Sequence, residues 1–306
     1  MDPQPDLRPG LIVSIGEPMV EFNQTRPGER DFLQGFGGDT SNMIIAAARS
    51  GARTAYVTRV GDDEFGRLFL ELWKKEGVGT DGVIIDRQAP TGAYFVTHGE
   101  QGHAFSYLRA GSAASGIQPG DLPAFIHSAA FVHASGISMA ISASAADAVL
   151  AAFQKAQGKI AFDSNLRLKL WPLERAREMI GAAAAMADYF FPSIEDARQL
   201  SGKDSPEANL EWAHGLGAKT VFLKLGADGV IVSDGKKRER IPGHAVKAVD
   251  ATGAGDCFCG ATLARLAAGD SVWEAARYAN AAAALATTGF GAVEPLPRPE
   301  AVRALL

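Results

Sequence analysis

The chain reads as an α/β layered fold, one large and mostly parallel sheet with helices on both faces. Three observations predict it. Short β-branched runs alternate with amphipathic or alanine-rich helical stretches along all 306 residues. Hydrophobic residues make up 47% and charged residues 21%, the balance of an ordinary globular protein with one core. No internal repeat, low-complexity tract or long linker divides the chain, so residues 1–306 are expected to form one domain.

Taken in order, strands are expected at 11–15, 55–59, 131–134, 160–163, 189–191, 221–224 and 230–233, each a short apolar run. Helices are expected at 40–49, 64–75, 145–157, 174–187, 206–214, 255–267 and 272–286. Gly51, Gly77, Gly158 and Gly269 follow helices and suit C-caps. Residues 91–109, TGAYFVTHGEQGHAFSYLR, break the alternation and read as two strands joined by a glycine-containing turn. Period-two geometry puts His103, Phe105, Tyr107 and Arg109 on one face, so a phenol and a guanidinium project together toward a polar ligand. Residues 20–36 supply partner strands, completing a small β lid over one edge of the sheet.

Charge and composition exclude several classes. A net charge of -5 leaves no basic stripe for nucleic acid. No apolar run approaches the ~20 residues that span a bilayer, so no membrane segment is expected. The opening MDPQPDLRPG has neither the cationic nor the apolar region of a secretory signal; it reads as a frayed lead-in to a cytoplasmic protein. Cys257 and Cys259, two apart on a helix, point to different faces and read as reduced packing residues.

The chemistry concentrates in VDATGAGDCFCGATLARLAAG, residues 249–269. Gly253 and Gly255 permit a tight turn into a helix, so backbone N–H groups converge at its N-terminus and favour an anion. Asp256, at the mouth of this nest, either caps the helix or takes a proton from an attacking hydroxyl. No G-x-x-x-x-G-K-[ST] occurs, which argues against a P-loop enzyme. The formal G-x-G-x-x-G at Gly77, Gly79 and Gly82 follows a helix instead of a strand and is accidental.

DATGAGDCFCG resembles the C-terminal signature of the ribokinase-like, or PfkB, carbohydrate kinases. FGGDTSNMIIAAARSGA and the downstream RVGDDEFG resemble their N-terminal signature, and LKLGADGVIV resembles their strand pair around the nucleotide. The likeness runs from Ile12 to about Gly291. It implies a mostly parallel sheet with a β lid, and ATP with Mg²⁺ as phosphoryl donor, a monovalent cation such as K⁺ being a further candidate. It also implies Asp256 as base and Gly253, Ala254 and Gly255 as anion hole. Lys224, Gly226, Gly229, Asn165, Ser193, Asn280 and Gly289 fall at nucleotide positions, Gly226 and Gly229 also being explicable as a plain hairpin turn. The family's N-x-x-E, which organises Mg²⁺ and its waters, is replaced by Ser193 to Asp196. Asp196 acting through water is the remaining candidate, with Asp250 near a second cation.

On the acceptor side stand Gly37, Gly38, Asp39 and Asn42, where glycines let backbone approach a sugar and short polar groups bind it. FGGDTSN, the lid strand and DSNLRLKLW resemble the 2-keto-3-deoxygluconate kinase branch, which implies substrate contacts from Tyr94, Tyr107, Arg109 and Arg167. Arginine suits a sugar acid because its fork binds carboxylate in bidentate fashion. The alternatives are a fructokinase or other neutral-sugar kinase, a nucleoside kinase stacking its base on the lid, and a catalytically silent nucleotide-binding protein. A β lid leaves exposed strand edges, and the family resemblance implies that they are covered by pairing lids in a homo-oligomer.

Overall fold

In the computed structural model, which describes residues 10–99 and 102–306, the chain opens with β1 (Leu11–Ile15), β2 (Met19–Gln24), β3 (Phe32–Gly37) and α1 (Asp39–Arg49). It continues through β4 (Arg53–Gly61), α2 (Glu64–Glu76), β5 (Val78–Asp86), β6 (Gly92–Gly99) and β7 (Gly102–Leu108). Its middle supplies β8 (Phe131–Ser135), α3 (Gly136–Ala140), α4 (Ala143–Lys155), β9 (Lys159–Asp163), α5 (Leu173–Met186), β10 (Tyr189–Phe190) and α6 (Ile194–Ser201). The last third holds α7 (Pro206–Leu216), β11 (Thr220–Lys224), β12 (Val230–Ser233), β13 (Arg238–Ile241), α8 (Ala254–Ala267), α9 (Val272–Ala286) and α10 (Pro299–Leu305).

Among the described residues the strands form two sheets, a large one ordered β13-β12-β11-β10-β9-β8-β1-β4-β5 and a small lid ordered β3-β2-β6-β7. Pairing in the large sheet is parallel from β11 to β5 and antiparallel at β12 and β13. The reason is local: the turn after Lys224 is too short to hold a crossover helix, so the chain can only double back. Strand alternation then builds a core on each face. Leu11, Val13 and Ile15 join Ile160 and Phe162 in packing toward α4, α5 and α7. Ile12 and Ala161 point the other way, toward α1, α2, α8 and α9.

In that second layer α1 and α8 lie close because Gly260 has no side chain; a Cβ there would stand 2.2 Å from the Met43 carbonyl oxygen. Helix starts are set by side chains, as Ser193, Ser205 and Ser271 each accept from the N–H three residues on.

Gly51, Gly77 and Gly269 adopt the left-handed conformation expected after helices. Gly158 does not. Helix α4 already ends at Lys155, and Gly158 is small because a Cβ would stand 2.1 Å from the Ala129 carbonyl. Strand β5 was not expected, since its glycines hide its apolar alternation; Gly79 and Gly82 lie inside it and bind no phosphate turn. The lid hairpin pairs Tyr94 with Tyr107, while its expected turn at 100–101 and the expected lead-in at 1–9 lie outside the described residues.

Gly260→Ala is expected to destabilise by about 1–3 kcal/mol in urea unfolding, the range for overpacking. Gly181→Ala on α5, where the new methyl would meet only Leu216 Cδ2 at 3.8 Å, is expected to be neutral or stabilising by up to about 1 kcal/mol.

Candidate active site

The residues marked by the sequence converge at the carboxyl ends of the parallel strands, where the following helices begin. Asp39 opens α1, Asp163 ends β9, Asp196 lies in the first turn of α6, Lys224 ends β11 and Asp256 lies in the first turn of α8. Gly253 enters α8 at φ 76, a backbone that strains any side chain, and no side chain caps the helix. The first-turn N–H groups beside Ala254 and Gly255 can therefore meet an anion. Gly38 sits at φ 98 with the Glu17 carbonyl where its Cβ would be.

Asn42 Nδ2 donates to Asp256 Oδ2 at 2.8 Å, joining α1 to α8. Burial first, then the charge of Asp39, pushes the Asp256 carboxyl up to about 7, against the stabilising contact from Asn42. Such a group is strong enough to take a hydroxyl proton and still substantially ionised near neutral pH. Asp39 Oδ2 accepts from Asn165 Nδ2 at 2.8 Å, while Asp39 Oδ1 and Asn42 Oδ1 are buried acceptors with no partner. Two orphaned acceptors beside the base suit the hydroxyls of a ligand. Asn165, expected at the nucleotide, thus reaches Asp39 from a backbone at φ 28.

Asp196 Oδ2 accepts from Ser164 Oγ at 2.7 Å and Leu166 N at 3.0 Å, and burial raises its carboxyl. Ser193 caps α6 by accepting from Asp196 N. The carboxylates of Asp39, Asp163, Asp196 and Asp256 feel one another, and this surplus of negative charge fits a cation such as Mg²⁺. Among the described residues no three His, Cys, Asp or Glu side chains converge as direct ligands. Asp196 would therefore hold Mg²⁺ through water, with the oxygen not used by Ser164 and Leu166. Asp250 accepts from Thr252 N and Oγ1 and from Gly291 N, tying two loops together beside the anion hole.

A cavity of about 540 Å³ runs from Gly255 and Lys224 past Gly226 and Gly229 to Asn280. Asn280 Nδ2 donates to the Pro242 carbonyl at 2.7 Å. Gly289, expected at the nucleotide, lies beside Pro295, where a built Cβ would stand 3.0 Å from the Pro295 Cβ, and is not among the residues lining this cavity.

On the lid, Tyr94 donates to buried Glu21 at 2.5 Å and lies over Gly37, where a Cβ would stand 2.5 Å from the phenol oxygen. Tyr107 stacks on Phe105 and is exposed. Arg109 is largely buried. Its guanidinium pairs with Glu17, a fully buried carboxylate that also accepts from Ser112 Oγ at 2.9 Å. Arg167 is exposed, donates to the Leu166 carbonyl at 2.8 Å, and its charge acts on Asp39.

Glu17, Glu21, Asp163 and Cys259 are site neighbours that the sequence reading passed over. Glu17 and Glu21 did leave a signal: they are the two charges in the otherwise apolar LIVSIGEPMVEF, where burial of a carboxylate demands a partner.

Residues 10–299 match the family model described as pfkB family carbohydrate kinase. The chain belongs to the PfkB family. The 2-dehydro-3-deoxygluconokinase of Thermoproteus tenax is 36% identical, covering 96% of this chain and 94% of its own. Probable fructokinase-5 of Arabidopsis thaliana is 34% identical over 97% of each. The E. coli chain called Ribokinase II, solved with ATP and Mg²⁺, superposes with a TM-score of 0.89 at 26% identity, covering 96% of this chain and 98% of that one. This PfkB protein is an ATP-dependent sugar kinase that works with Mg²⁺. Its described helices include none long and apolar enough to cross a membrane.

Asp256→Asn is expected to lower kcat by about 10²–10⁴-fold, the usual share of a general base, with ADP affinity little changed. A carboxyl raised in the folded state opposes folding once it ionises, so this loss of stability grows as pH rises through about 7. The Asn variant should thus melt higher than the wild type at alkaline pH, with the gap closing in acid; equal melting curves at both pH values would contradict the burial of this charge.

Proposed function

We propose that this kinase phosphorylates the 6-hydroxyl of 2-keto-3-deoxygluconate. The observation that carries the reading is Arg167, an exposed guanidinium at the acceptor end whose charge acts on Asp39. A sugar acid brings a carboxylate that such a fork can bind, and the identity to the Thermoproteus tenax enzyme supports the same choice.

In this reading Gly37, Gly38, Asp39 and Asn42 hold the sugar, with Tyr94, Tyr107 and Arg109 above it. Asp256 takes the proton of the 6-hydroxyl as its oxygen attacks the γ-phosphorus, and the bond to the departing ADP breaks. The N–H groups of the Gly253–Gly255 loop receive the charge on the transferring group. Mg²⁺, when bound, neutralises phosphate charge. Lid closure excludes water and so prevents idle ATP hydrolysis. Asp250 helps frame a monovalent-cation site. The chain works in the cytoplasm as a homo-oligomer paired through its lids, whose exposed Leu33 and Leu108 favour such cover.

A fructokinase is the second reading. It is favoured by the pairing of Arg109 with Glu17, which neutralises half of the expected carboxylate clamp, and by the Arabidopsis relative.

A coupled ADP-release assay with MgATP against 2-keto-3-deoxygluconate, fructose, ribose and adenosine separates the two. Selective turnover of the keto-acid is expected, and Arg167→Ala should lower kcat/KM for it roughly 10- to 100-fold, the size of one charged hydrogen bond. Preference for fructose, unaffected by Arg167→Ala, would leave the kinase and overturn the sugar acid.

A further inference from the structure

Arg49 is the last residue of α1, and its side chain is only 9% exposed. Nε and Nη2 donate to the two carboxylate oxygens of Glu76, the last residue of α2, at 2.9 and 3.0 Å. Nη1 donates to the carbonyls of Val293 at 2.9 Å and Leu296 at 2.7 Å, with that of Glu294 at 3.4 Å. These carbonyls belong to the segment between α9 and α10, which contains no helix or strand. Val293 and Leu296 are buried, so their carbonyls need a protein donor, and Arg49 supplies it.

The other end of this segment lies against the anion hole. A Cβ built on Gly253 would stand 3.1 Å from both the Cβ and the carbonyl oxygen of Ala292, so Ala292 is the wall on which that left-handed turn rests. Gly291 N donates to Asp250 Oδ2 at 3.0 Å, and the Thr287 carbonyl accepts from Val249 N at 2.7 Å and Asp250 N at 3.1 Å. The turn into α8 is thus fastened to residues 287–292, and these run on into 293–296 and Arg49. Arg49 lies about two turns along α1 from Asn42. The helix that reaches Asp256 from its first turn therefore carries the clamp at its last. A guanidinium suits this post, because its fork engages a carboxylate with two donors and keeps a third group for the carbonyls.

We propose that Arg49 is a positioning residue for phosphoryl transfer. Braced by Glu76, it holds residues 293–296, and through them it keeps the Gly253–Gly255 turn in place beside the Asp256 carboxylate. It touches neither nucleotide nor sugar. This role rests on the anion-hole reading of that turn and is independent of which sugar accepts.

The test is steady-state kinetics with MgATP, and with 2-keto-3-deoxygluconate and fructose as acceptors, on wild type and variants held well below their melting temperatures, with calorimetric ADP binding alongside. Arg49→Met alone leaves the buried Glu76 carboxylate without its bidentate partner, so it is combined with Glu76→Gln. The double variant is expected to fold, to bind ADP as wild type does, and to keep the acceptor KM within about threefold. Its kcat should fall roughly 10- to 100-fold, the scale of a displacement of about 1 Å at the reacting groups. Glu76→Gln alone keeps the carbonyl contacts and should melt lower while holding kcat within about threefold. Gly253→Ala, which disturbs the turn directly, should lower kcat as well. If Gly253→Ala lowers kcat and the double variant does not, the role of Arg49 is overturned and the anion hole stands. If neither does, the anion hole falls and this role falls with it. A double variant whose losses lie in ADP affinity or KM instead of kcat also overturns the proposal.

Discussion

The hydrogen bond from Asn42 to Asp256 joins the first turns of two helices 214 residues apart in sequence, and the site depends on it. It can form only because α1 and α8 pack at a distance set by Gly260, with backbone where a side chain would otherwise lie. The apolar layer under both helices fixes their axes, and the glycines at 38 and 253 let the chain enter each helix at the required angle. Packing in the second core is thus converted into the position of a single carboxylate. Withdrawn from water, that carboxylate is a better base than a surface aspartate.

Charge balance explains the surroundings. Asp39, Asp163 and Asp196 crowd the same strand ends, against one nearby ammonium on Lys224. Such an arrangement disfavours the empty site and favours cations, phosphate-bound metal above all. The lid follows the opposite rule. Glu17 and Glu21 are each satisfied internally, by Arg109 with Ser112 and by Tyr94, so the lid keeps its shape while its aromatic face stays open.

Much of this was legible in the sequence. Local patterns gave the central parallel strands and the flanking helices because apolar runs and caps are short-range properties. The G-A-G-D turn marked the anion hole for the same reason, since the glycines and the helix that follow it are contiguous. What could not be read was pairing across the chain. The bond from Asn42 to Asp256 and the pairing of Arg109 with Glu17 each join residues that lie beyond any sequence window. The packing of Gly289 beside Pro295 was likewise not legible. Strand β5 escaped because glycine removes the side chains whose alternation reveals a strand.

The most direct test of a base poised by burial is the pH dependence of kcat/KM for the acceptor, in the wild type and in Asn42→Ala. The rate should fall as pH drops through about 7, where Asp256 takes up its proton. Loss of the Asn42 contact, which favours the ionised form, should move that acid limb to higher pH. A wild-type rate that stays flat down to about pH 5, near the range of an ordinary carboxylate, would contradict the assignment.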